Sequence, residues 1–330
     1  MEGLRSIDEP QLVVLSEPHR LAILRRLMAG PSTLSRLGEA FGRHPAWIRH
    51  HLKRLEAAGL VELAEVRTTR NYTEKFYRAT APAYASHLLV APDVGAAKPV
   101  VALGSHDLAL EALAALVEES GVPVVPAAVG SLDGLIALRQ GLADIAGCHL
   151  YDFETASFNL SYAKHLFPDR SVAVVTMAER EQGLIVAHGN PRGLSGVEDL
   201  VEKGATLVNR NRGSGTRLWL DTHLRRMGAE PAHIKGYDRE VSTHTAAADA
   251  VASGHADAGL GIRAAAERSG LGFVPLFEER YDLVVFEERL HEAALADVFE
   301  TLVGARFRDA VANLGGYDTR STGKEWHLAA

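Results

Sequence analysis

The sequence contains a single cysteine, Cys148, among 330 residues. One thiol cannot form an internal disulfide, which excludes a disulfide-stabilised scaffold and fits a reducing compartment. No run of about 18 apolar residues occurs, so the sequence predicts no membrane-spanning helix. The first twelve residues, MEGLRSIDEPQL, lack the charged and then apolar pattern of an export signal. We therefore expect a cytoplasmic protein.

Aromatic residues make up only 6% of the chain, and no low-complexity tract occurs. With 47% hydrophobic and 23% charged residues, the composition is that of a folded globular protein. A chain of 330 residues exceeds one typical hydrophobic core, so the length predicts two or three domains.

Positive charge is concentrated near the N-terminus. Between His19 and Arg78 there are twelve Lys and Arg residues against five Asp and Glu, although the whole chain has a net charge of -7. The rest of the chain is therefore acidic. A basic module joined to an acidic body predicts local phosphate binding without general attraction to nucleic acid.

Three helices are predicted in the basic module. The first covers residues 21–28, where leucines repeat at helical spacing before a Gly-Pro pair. The second covers residues 34–41, with Ser32 or Thr33 as its N-cap. Pro45 suits the first turn of the third helix. The inner face of that helix is predicted to consist of Ile48, Leu52 and Leu55.

A basic hairpin is predicted to follow the three helices. Its strands cover residues 60–66 and 75–79, and the turn between them is polar. This order, with the stretches EPHRLAILRRL, IRHHLKRLEAAGLVE and KFYRAT, resembles the ArsR-like winged-helix repressors over roughly residues 10–90. The resemblance implies that the third helix enters a DNA groove and that the hairpin contacts phosphates. A protein-interaction module is the alternative.

The predicted DNA contacts lie on the third helix, just before it and in the hairpin. They are Arg43, Trp47, Arg49, His50, Lys53, Arg54, Arg67 and Arg70. Many ArsR-like repressors sense metals through cysteine pairs or His/Asp clusters, but the corresponding stretch here, GEAFGRHPAW, has no thiolate. We therefore expect no metal site in this module, and a sensor elsewhere in the chain.

The second part of the chain alternates apolar strands with helices. The predicted strands cover residues 100–104, 122–129 and 144–149, and the predicted helices cover residues 108–117 and 135–142. This alternation predicts parallel strands with crossover helices. In such sheets ligands bind outside the carboxyl ends of the strands, where the helices begin.

Three strand-to-helix corners are rich in Gly, Ser and Thr, and they begin at Gly104, Gly130 and Asn209. Free backbone N–H groups and hydroxyls at a helix start can bind an anion. The third corner, NRNRGSGTR, is not a P-loop, because no Gly-Lys-Ser/Thr follows its glycines. Arg217 at this corner can add a two-pronged contact to an oxyanion. Alternatively, the glycines only allow a tight helix start.

The second part resembles the type 2 periplasmic-binding-protein folds, and within them the domains related to molybdate-binding proteins. The stretches that carry the resemblance are VGSLDGLIALRQGLADIAGCHLYD, GLIVAHGNPRGLSGVEDLVEKGATLVNRNRGSGTRLWLD, HTAAADAVASGHADAGLGIRAAAE and GLGFVPLFEERYDLVV. The resemblance implies two α/β lobes with ligand held in the cleft between them. The expected organisation is a winged helix-turn-helix domain (α+β) over 1–90, a linker over 91–98, a two-lobed α/β sensor over 99–315 and a tail over 316–330. Lobe one would comprise about 99–180 and 281–315, and lobe two about 183–277.

The resemblance places ligand contacts at the helix starts that face the cleft. In this sequence they are Ser105, Ser131, His149, Tyr151, Arg210, Ser214, Thr216, Arg217 and Thr243. Molybdate and tungstate carry acceptors only, which suits the hydroxyl donors. Asp107 and Asp133 lie near the same corners and suit such an anion less well. His106, His149 and Tyr151 can also bind an organic ligand.

We therefore expect a one-component transcriptional regulator that binds double-stranded DNA and responds to molybdate or tungstate, without a cofactor or a metal centre. The alternative effector is a molybdenum-cofactor-related compound or another metabolite with a carboxylate or phosphate. An enzyme is less expected, because no HExxH or GxSxG motif occurs and Cys148 follows an apolar strand. A homodimer is expected, because such regulators read paired half-sites.

Overall fold

The computed structural model describes residues 4–68, 72–86 and 99–330. The chain divides into two units, Met1–Val90 and Ala91–Ala330, and each is described by itself. Within the described ranges, every helix is too short or too polar to span a lipid bilayer.

The first unit contains the three predicted helices and the hairpin that follows them, together with one further helix at its start. Its described elements are β1 (Leu4–Ile7), α1 (Glu9–Leu15), α2 (Pro18–Met28), α3 (Leu34–Phe41), α4 (Pro45–Ala57), β2 (Val61–Thr68), β3 (Thr73–Ala79) and β4 (Ala83–Ser86). The antiparallel strands β2 and β3 form the hairpin. The sequence patterns did not indicate α1, or the strands β1 and β4, which pair in parallel.

The predicted apolar stripes form the core of this unit. Its buried residues include Leu24, Leu27, Leu37, Ile48, Leu52, Leu55 and Leu60. Thr33 rather than Ser32 is the N-cap of α3, because its hydroxyl accepts a hydrogen bond from the Arg36 backbone N–H at 3.3 Å. The helix ends at Gly42, whose φ of 60° is the left-handed conformation that glycine adopts without strain.

The second unit is an α/β body. Its strands are β5 (Val100–Gly104), β6 (Val124–Ala128), β7 (Ile145–Cys148), β8 (Tyr151–Asp152), β9 (Ser157–Phe158), β10 (Val172–Val186), β11 (Leu207–Arg210), β12 (Glu240–Val241), β13 (Ala258–Ile262), β14 (Gly272–Phe286), β15 (Tyr317–Asp318) and β16 (Glu325–Leu328). Its helices are α5 (Leu108–Glu118), α6 (Ser131–Arg139), α7 (Leu160–Leu166), α8 (Glu198–Glu202), α9 (Gly215–Met227), α10 (His244–Ala252), α11 (Arg263–Arg268), α12 (Ala293–Val303) and α13 (Ala305–Ala312).

The strands of this unit form a sheet in the order β12-β11-β13-β10-β14-β7-β5-β6. At one end β5 pairs in parallel with β6 and β7, and at the other end β11 pairs in parallel with β12 and β13. Helices connect the parallel strands in both halves. The predicted arrangement of two α/β lobes is therefore confirmed.

Two long antiparallel strands, β10 and β14, connect the lobes. The C-terminal part of β10 pairs with β13 of lobe two, and the C-terminal part of β14 pairs with β7 of lobe one. The expected crossovers at 180–183 and 277–281 fall within these two strands. The polypeptide therefore passes between the lobes as paired strands, and side chains near the middle of both strands lie at the cleft.

Residues 316–330, expected as a separate tail, belong to the sheet. The strand β16 pairs with the start of β10, and β15 pairs with Glu179 and Arg180. The tail therefore packs against lobe one and beside one of the crossovers, and it is part of the folded unit.

Candidate ligand-binding cleft and DNA-binding helix

Helix starts from both lobes converge on the cleft. Asp107 caps α5, Ser214 caps α9 and Thr243 caps α10, each through a side-chain oxygen that accepts a backbone N–H. The N-cap of α6 is Gly130, which has no side chain and makes no side-chain cap. The first backbone N–H groups of α6 are therefore not capped by the N-cap residue.

The two lobes contact each other across the cleft. The Leu132 backbone N–H donates to the carbonyl of Gly213 at 3.1 Å, and the Asn211 Nδ2 donates to the carbonyl of Val129 at 3.3 Å. Gly130 and Gly213 lie between these bonds with φ of 106° and 82°. A Cβ at Gly130 would stand 3.1 Å from the backbone of Gly213. The structure therefore shows the closed arrangement of the lobes.

A buried chain of hydrogen bonds runs from Ser105 to Glu279. His149 Nε2 lies 2.8 Å from Ser105 Oγ, and His149 Nδ1 lies 2.7 Å from Glu279 Oε2. The His149 backbone N–H also donates to Ser131 Oγ at 3.2 Å. Burial lowers the pKa of His149, so its imidazole is neutral at neutral pH. Burial alone would raise the pKa of Glu279, but His149 and Arg180 outweigh burial and lower that pKa to about 2.

Arg180 and Gln182 project from the middle of β10 into this network. The Arg180 guanidinium donates to Glu279 at 2.6 Å and to Asp107, and its Nη2 is buried with no partner among the described residues. Gln182 Nε2 donates to Glu279 at 2.9 Å and to Thr216 at 3.0 Å. Gln182 Oε1 is also buried and has no partner among the described residues. The crossover thus presents one unpaired donor and one unpaired acceptor.

Arg210 is a second fully buried guanidinium at the cleft. It donates to the carbonyls of Val241 and Ser242 and lies 2.8 Å from His244 Nδ1. Within the described ranges no carboxylate forms an ion pair with it, whereas Arg180 has two. Burial lowers the pKa of Arg210 to about 9, and the charge of Arg180 adds to this effect. The group is therefore a buried cation at neutral pH that lacks a counter-charge.

Six of the predicted ligand contacts are buried at this cleft. They are Ser105, Ser131, His149, Arg210, Ser214 and Thr216. They come from β5, α6, β7, β11 and α9 and their adjoining corners, as expected if the carboxyl ends of parallel strands meet at one edge. Whether each touches an effector stays a prediction.

Arg217 is engaged elsewhere. Its Nε donates to Asp221 at 2.9 Å, its Nη1 donates to Glu240 at 2.9 Å, and its guanidinium stacks on Tyr237 at 4.3 Å. These contacts occupy the nitrogens that a two-pronged ligand contact would need. Arg217 Nη1 also donates to the backbone carbonyl of Arg210 at 3.3 Å, and a ligand contact by Arg217 stays a prediction.

Tyr151 and Thr243 take other positions. The Tyr151 ring packs against Phe153 and Phe158 with centroids 4.7 and 5.0 Å apart, in an aromatic cluster next to the cleft residue His149. Thr243 Oγ1 accepts the Ala246 backbone N–H at 3.0 Å and so caps α10. Both side chains are half-buried. Their observed contacts are structural, and a ligand contact by either stays a prediction.

Sequence reasoning missed four polar residues of the cleft: Arg180, Gln182, His244 and Glu279. A usable signal was present in β10, where EREQ interrupts the apolar stretches VAVVTMA and GLIV. His244 lies at the start of α10, where its backbone N–H donates to His106 Nδ1 at 3.3 Å. Burial lowers the pKa of both histidines, so both are neutral.

The predicted recognition helix α4 presents unpaired positive charge. Ile48, Leu52 and Leu55 are buried, as predicted, while Arg49 and Lys53 are exposed. The exposed set also includes Arg43, His50 and Arg54. Among the described residues none of these five forms an ion pair with a carboxylate, so the charges of the three arginines and the lysine are available to an external phosphate.

The remaining predicted DNA contacts are less free. Trp47 is half-buried and packs against His19 and His51 at centroid distances of 5.0 and 4.1 Å. Arg67 pairs with Glu65 at 2.7 Å and stacks on Phe76. Arg70 lies outside the described residues. Trp47 therefore supports the position of α4, and any phosphate contact by Arg67 competes with Glu65.

Comparisons with known proteins agree with both units. Residues 113–303 match the model of the PBP superfamily domain, and residues 15–64 match a helix-turn-helix domain. The uncharacterized protein YvgK of Bacillus subtilis strain 168 is 36% identical over 229 residues, which are 69% of this chain and 73% of that protein. A protein encoded in the 5′ region of a 2Fe-2S ferredoxin gene of Clostridium pasteurianum is 37% identical over 112 residues, 32% of this chain and 96% of that protein.

A crystal structure from Clostridium perfringens shares the fold. It is described as a phosphate ABC transporter substrate-binding protein with bound phosphate, and it superposes with a TM-score of 0.52 at 16% identity. The match covers 67% of this chain and 99% of that one. At this identity the likeness concerns the fold alone. The chain therefore belongs to the PBP superfamily and carries a helix-turn-helix domain at its N-terminal end.

Proposed function

We propose that this protein is a transcriptional regulator in which binding of a small anion in the cleft of the second unit controls DNA binding by α4. The pairing of a helix-turn-helix domain with a ligand-binding fold supports a DNA-binding regulator that senses a ligand. The ArsR-like arrangement and a homodimer that reads two half-sites are part of this proposal.

The observation that carries the proposal of an anion is Arg210. A buried cation without a counter-charge is costly, and an anionic ligand in the cleft removes that cost. Arg180 Nη2 offers a second donor, and the N-terminal end of α6, which has no side-chain cap at Gly130, carries the partial positive charge of a helix start. A negatively charged group held among these donors is bound by both lobes, so binding favours their closure.

Two classes of effector fit these donors. A tetrahedral oxyanion such as molybdate or tungstate is the class that the sequence resemblance favours. An organic anion with a carboxylate or phosphate is the second class. The unpaired acceptor of Gln182 favours the second class where that anion also carries a donor, since an acceptor-only anion leaves Gln182 Oε1 unpaired.

The test is a thermal-shift panel of anions on wild-type protein and on Arg210→Met. We expect at least one anion to raise the melting temperature of the wild type in a saturable way, since a ligand at a hundredfold excess over Kd adds about 2.7 kcal/mol. Arg210→Met should lose this response. Arg225→Met, which removes an exposed arginine from α9 in the same lobe, is the control and should keep it. Equal stabilisation of wild type and Arg210→Met by the same anion would contradict the proposal.

A further inference from the structure

Gln182 offers the cleft an acceptor whose orientation is fixed. A flipped amide would place Oε1 beside the Glu279 carboxylate, and two acceptors repel each other. Because Glu279 is ionised, Nε2 must face it at 2.9 Å. Oε1 therefore points away from Glu279, is fully buried and has no donor among the described residues. A buried carbonyl oxygen in this position requires a hydrogen-bond donor.

Ser105 is a second acceptor in the same cleft. The Glu279 carboxylate can only accept, so His149 donates its Nδ1 proton to it. The neutral ring then carries no proton on Nε2, which accepts the hydroxyl proton of Ser105 at 2.8 Å. The hydroxyl hydrogen is thus committed to His149. What Ser105 Oγ offers to a ligand is a lone pair.

The two guanidiniums of the cleft, in contrast, require acceptors or negative charge. Arg180 Nη2 lacks an acceptor, and Arg210 lacks a counter-charge among the described residues. Arg180 and Gln182 are two residues apart on β10, so both side chains lie on the same face of the strand. The cleft therefore presents unpaired donors and unpaired acceptors side by side.

We infer that the effector carries a hydrogen-bond donor as well as a negative charge. This inference rests on the proposed anion sensor and narrows its ligand class. Protonated oxyanions such as hydrogen phosphate, and small carboxylates with a hydroxyl or amino group, satisfy both demands. Molybdate, tungstate and sulfate have no proton at neutral pH and leave the acceptors of Gln182 and Ser105 unpaired.

The experiment compares anions that differ only in a donor. Hydrogen phosphate and monofluorophosphate are dianions of similar size, but fluorine replaces the hydroxyl in the second. Lactate and pyruvate form the matching carboxylate pair. Molybdate, tungstate and sulfate complete the panel. Melting temperature and calorimetric affinity are measured for each probe on the full-length protein at neutral pH.

We expect a donor-bearing probe to bind at least about tenfold more tightly than its donor-free partner, because a buried acceptor left unpaired costs affinity. In Gln182→Met the ratio of the affinities for the donor-bearing and donor-free probes should fall towards one. Gln140→Met, at an exposed position after α6, is the control and should preserve it. Ser105→Ala should also reduce the preference, which provides a second variant if Gln182→Met fails to fold.

Three results would overturn the inference. The first is equal affinity within each matched pair, and the second is an unchanged preference in Gln182→Met. The third is stabilisation by molybdate or tungstate with none from the donor-bearing probes; this result refutes the donor requirement and leaves the anion sensor intact. If no anion raises the melting temperature of the wild type, the proposed anion sensor itself is contradicted, and the inference falls with it.

Discussion

At the scale of single residues, the cleft is defined by buried charges that do not all cancel. Asp107 and Glu279 compensate Arg180, whereas Arg210 is held by carbonyls and a neutral histidine. Charges are rarely buried without partners, because the loss of hydration is expensive. This arrangement supports the proposal that the cleft gains its counter-charge from a ligand.

Glu279 is predicted to be the residue whose loss destabilises the sensor most. Glu279→Gln leaves two buried guanidiniums with a single carboxylate, which should lower the free energy of unfolding by about 3–5 kcal/mol. Urea unfolding of the second unit measures this. Glu278→Gln changes the exposed neighbour on β14 and is the matched control, expected within about 0.5 kcal/mol of wild type.

The pH dependence of the free energy of unfolding should identify the same carboxylate, Glu279. The pKa of Glu279 is about 2 in the folded protein, against an ordinary 4.5. Its contribution to the free energy of unfolding is therefore complete above pH 4.5 and is lost as the pH falls towards 2. The stability difference between wild type and Glu279→Gln should therefore shrink on acidification through this window. A difference that stays constant from neutral pH to pH 2, or is below about 1 kcal/mol at neutral pH, would refute the role given to Glu279.

At the scale of elements, the cleft depends on the close approach of α9 to the end of β7. A Cβ at Gly215 would stand 2.5 Å from the His149 carbonyl and 2.6 Å from its Nδ1. Contacts this short do not occur, so a side chain at Gly215 must keep the lobes apart or displace His149. Full closure of the lobes therefore requires a residue without a side chain at Gly215, the first position of α9.

Gly215→Ala is predicted to prevent full closure without unfolding either lobe. The variant should lose anion-dependent stabilisation and show a larger radius of gyration by X-ray scattering. Gly196→Ala is the matched control in lobe two, where an added Cβ meets only the flexible end of Glu198. Wild-type anion affinity in Gly215→Ala would show that closure through this contact is unnecessary for binding.

The helix α4 carries the second prediction at this scale. Arg49→Ala combined with Lys53→Ala should weaken binding to a duplex selected from a random pool and reduce the slope of log affinity against log salt by about 2, since each phosphate contact contributes about 0.9. The control, Lys164→Ala with Arg225→Ala, removes the same charge from exposed positions of the second unit. An unchanged slope would favour a protein-interaction role for the module.

Sequence patterns predicted the elements better than the site. The strand predicted over 100–104 matches β5, and the stripe of Ile48, Leu52 and Leu55 is buried. The sequence predicted that α6 starts at residue 135, yet the helix begins at Ser131. Gly134 lies inside it because a Cβ there would stand 2.7 Å from the Gly104 Cα, so this glycine permits close packing on β5.

The buried charges escaped prediction for a physical reason. Arg180, Gln182 and Glu279 alternate with other polar residues, a pattern that indicates an exposed strand in a single sequence. Their burial arises only because β10 and β14 pass between the two lobes. Arg217 was expected to make a two-pronged ligand contact because it lies in the first turn of α9, but the positions of Asp221 and Glu240 decide where its guanidinium lies.

At the scale of the whole molecule, the proposed function links two equilibria, lobe closure and DNA binding. Linkage requires that an anion which changes DNA affinity by some factor has its own affinity changed by DNA by the same factor. Typical couplings of 1–3 kcal/mol correspond to about 5- to 150-fold. A coupling of this size would be measured directly as a change in DNA affinity.

The coupling between the cleft and α4 is tested by the Kd for the selected duplex, measured with and without a saturating amount of the anion that stabilises the wild type most. We predict a change in Kd of at least about fivefold. Arg210→Met should bind the same duplex with a Kd that the anion does not alter, and Arg225→Met should respond like the wild type. An identical Kd for DNA in the presence and absence of a saturating anion would show that the cleft does not control DNA binding.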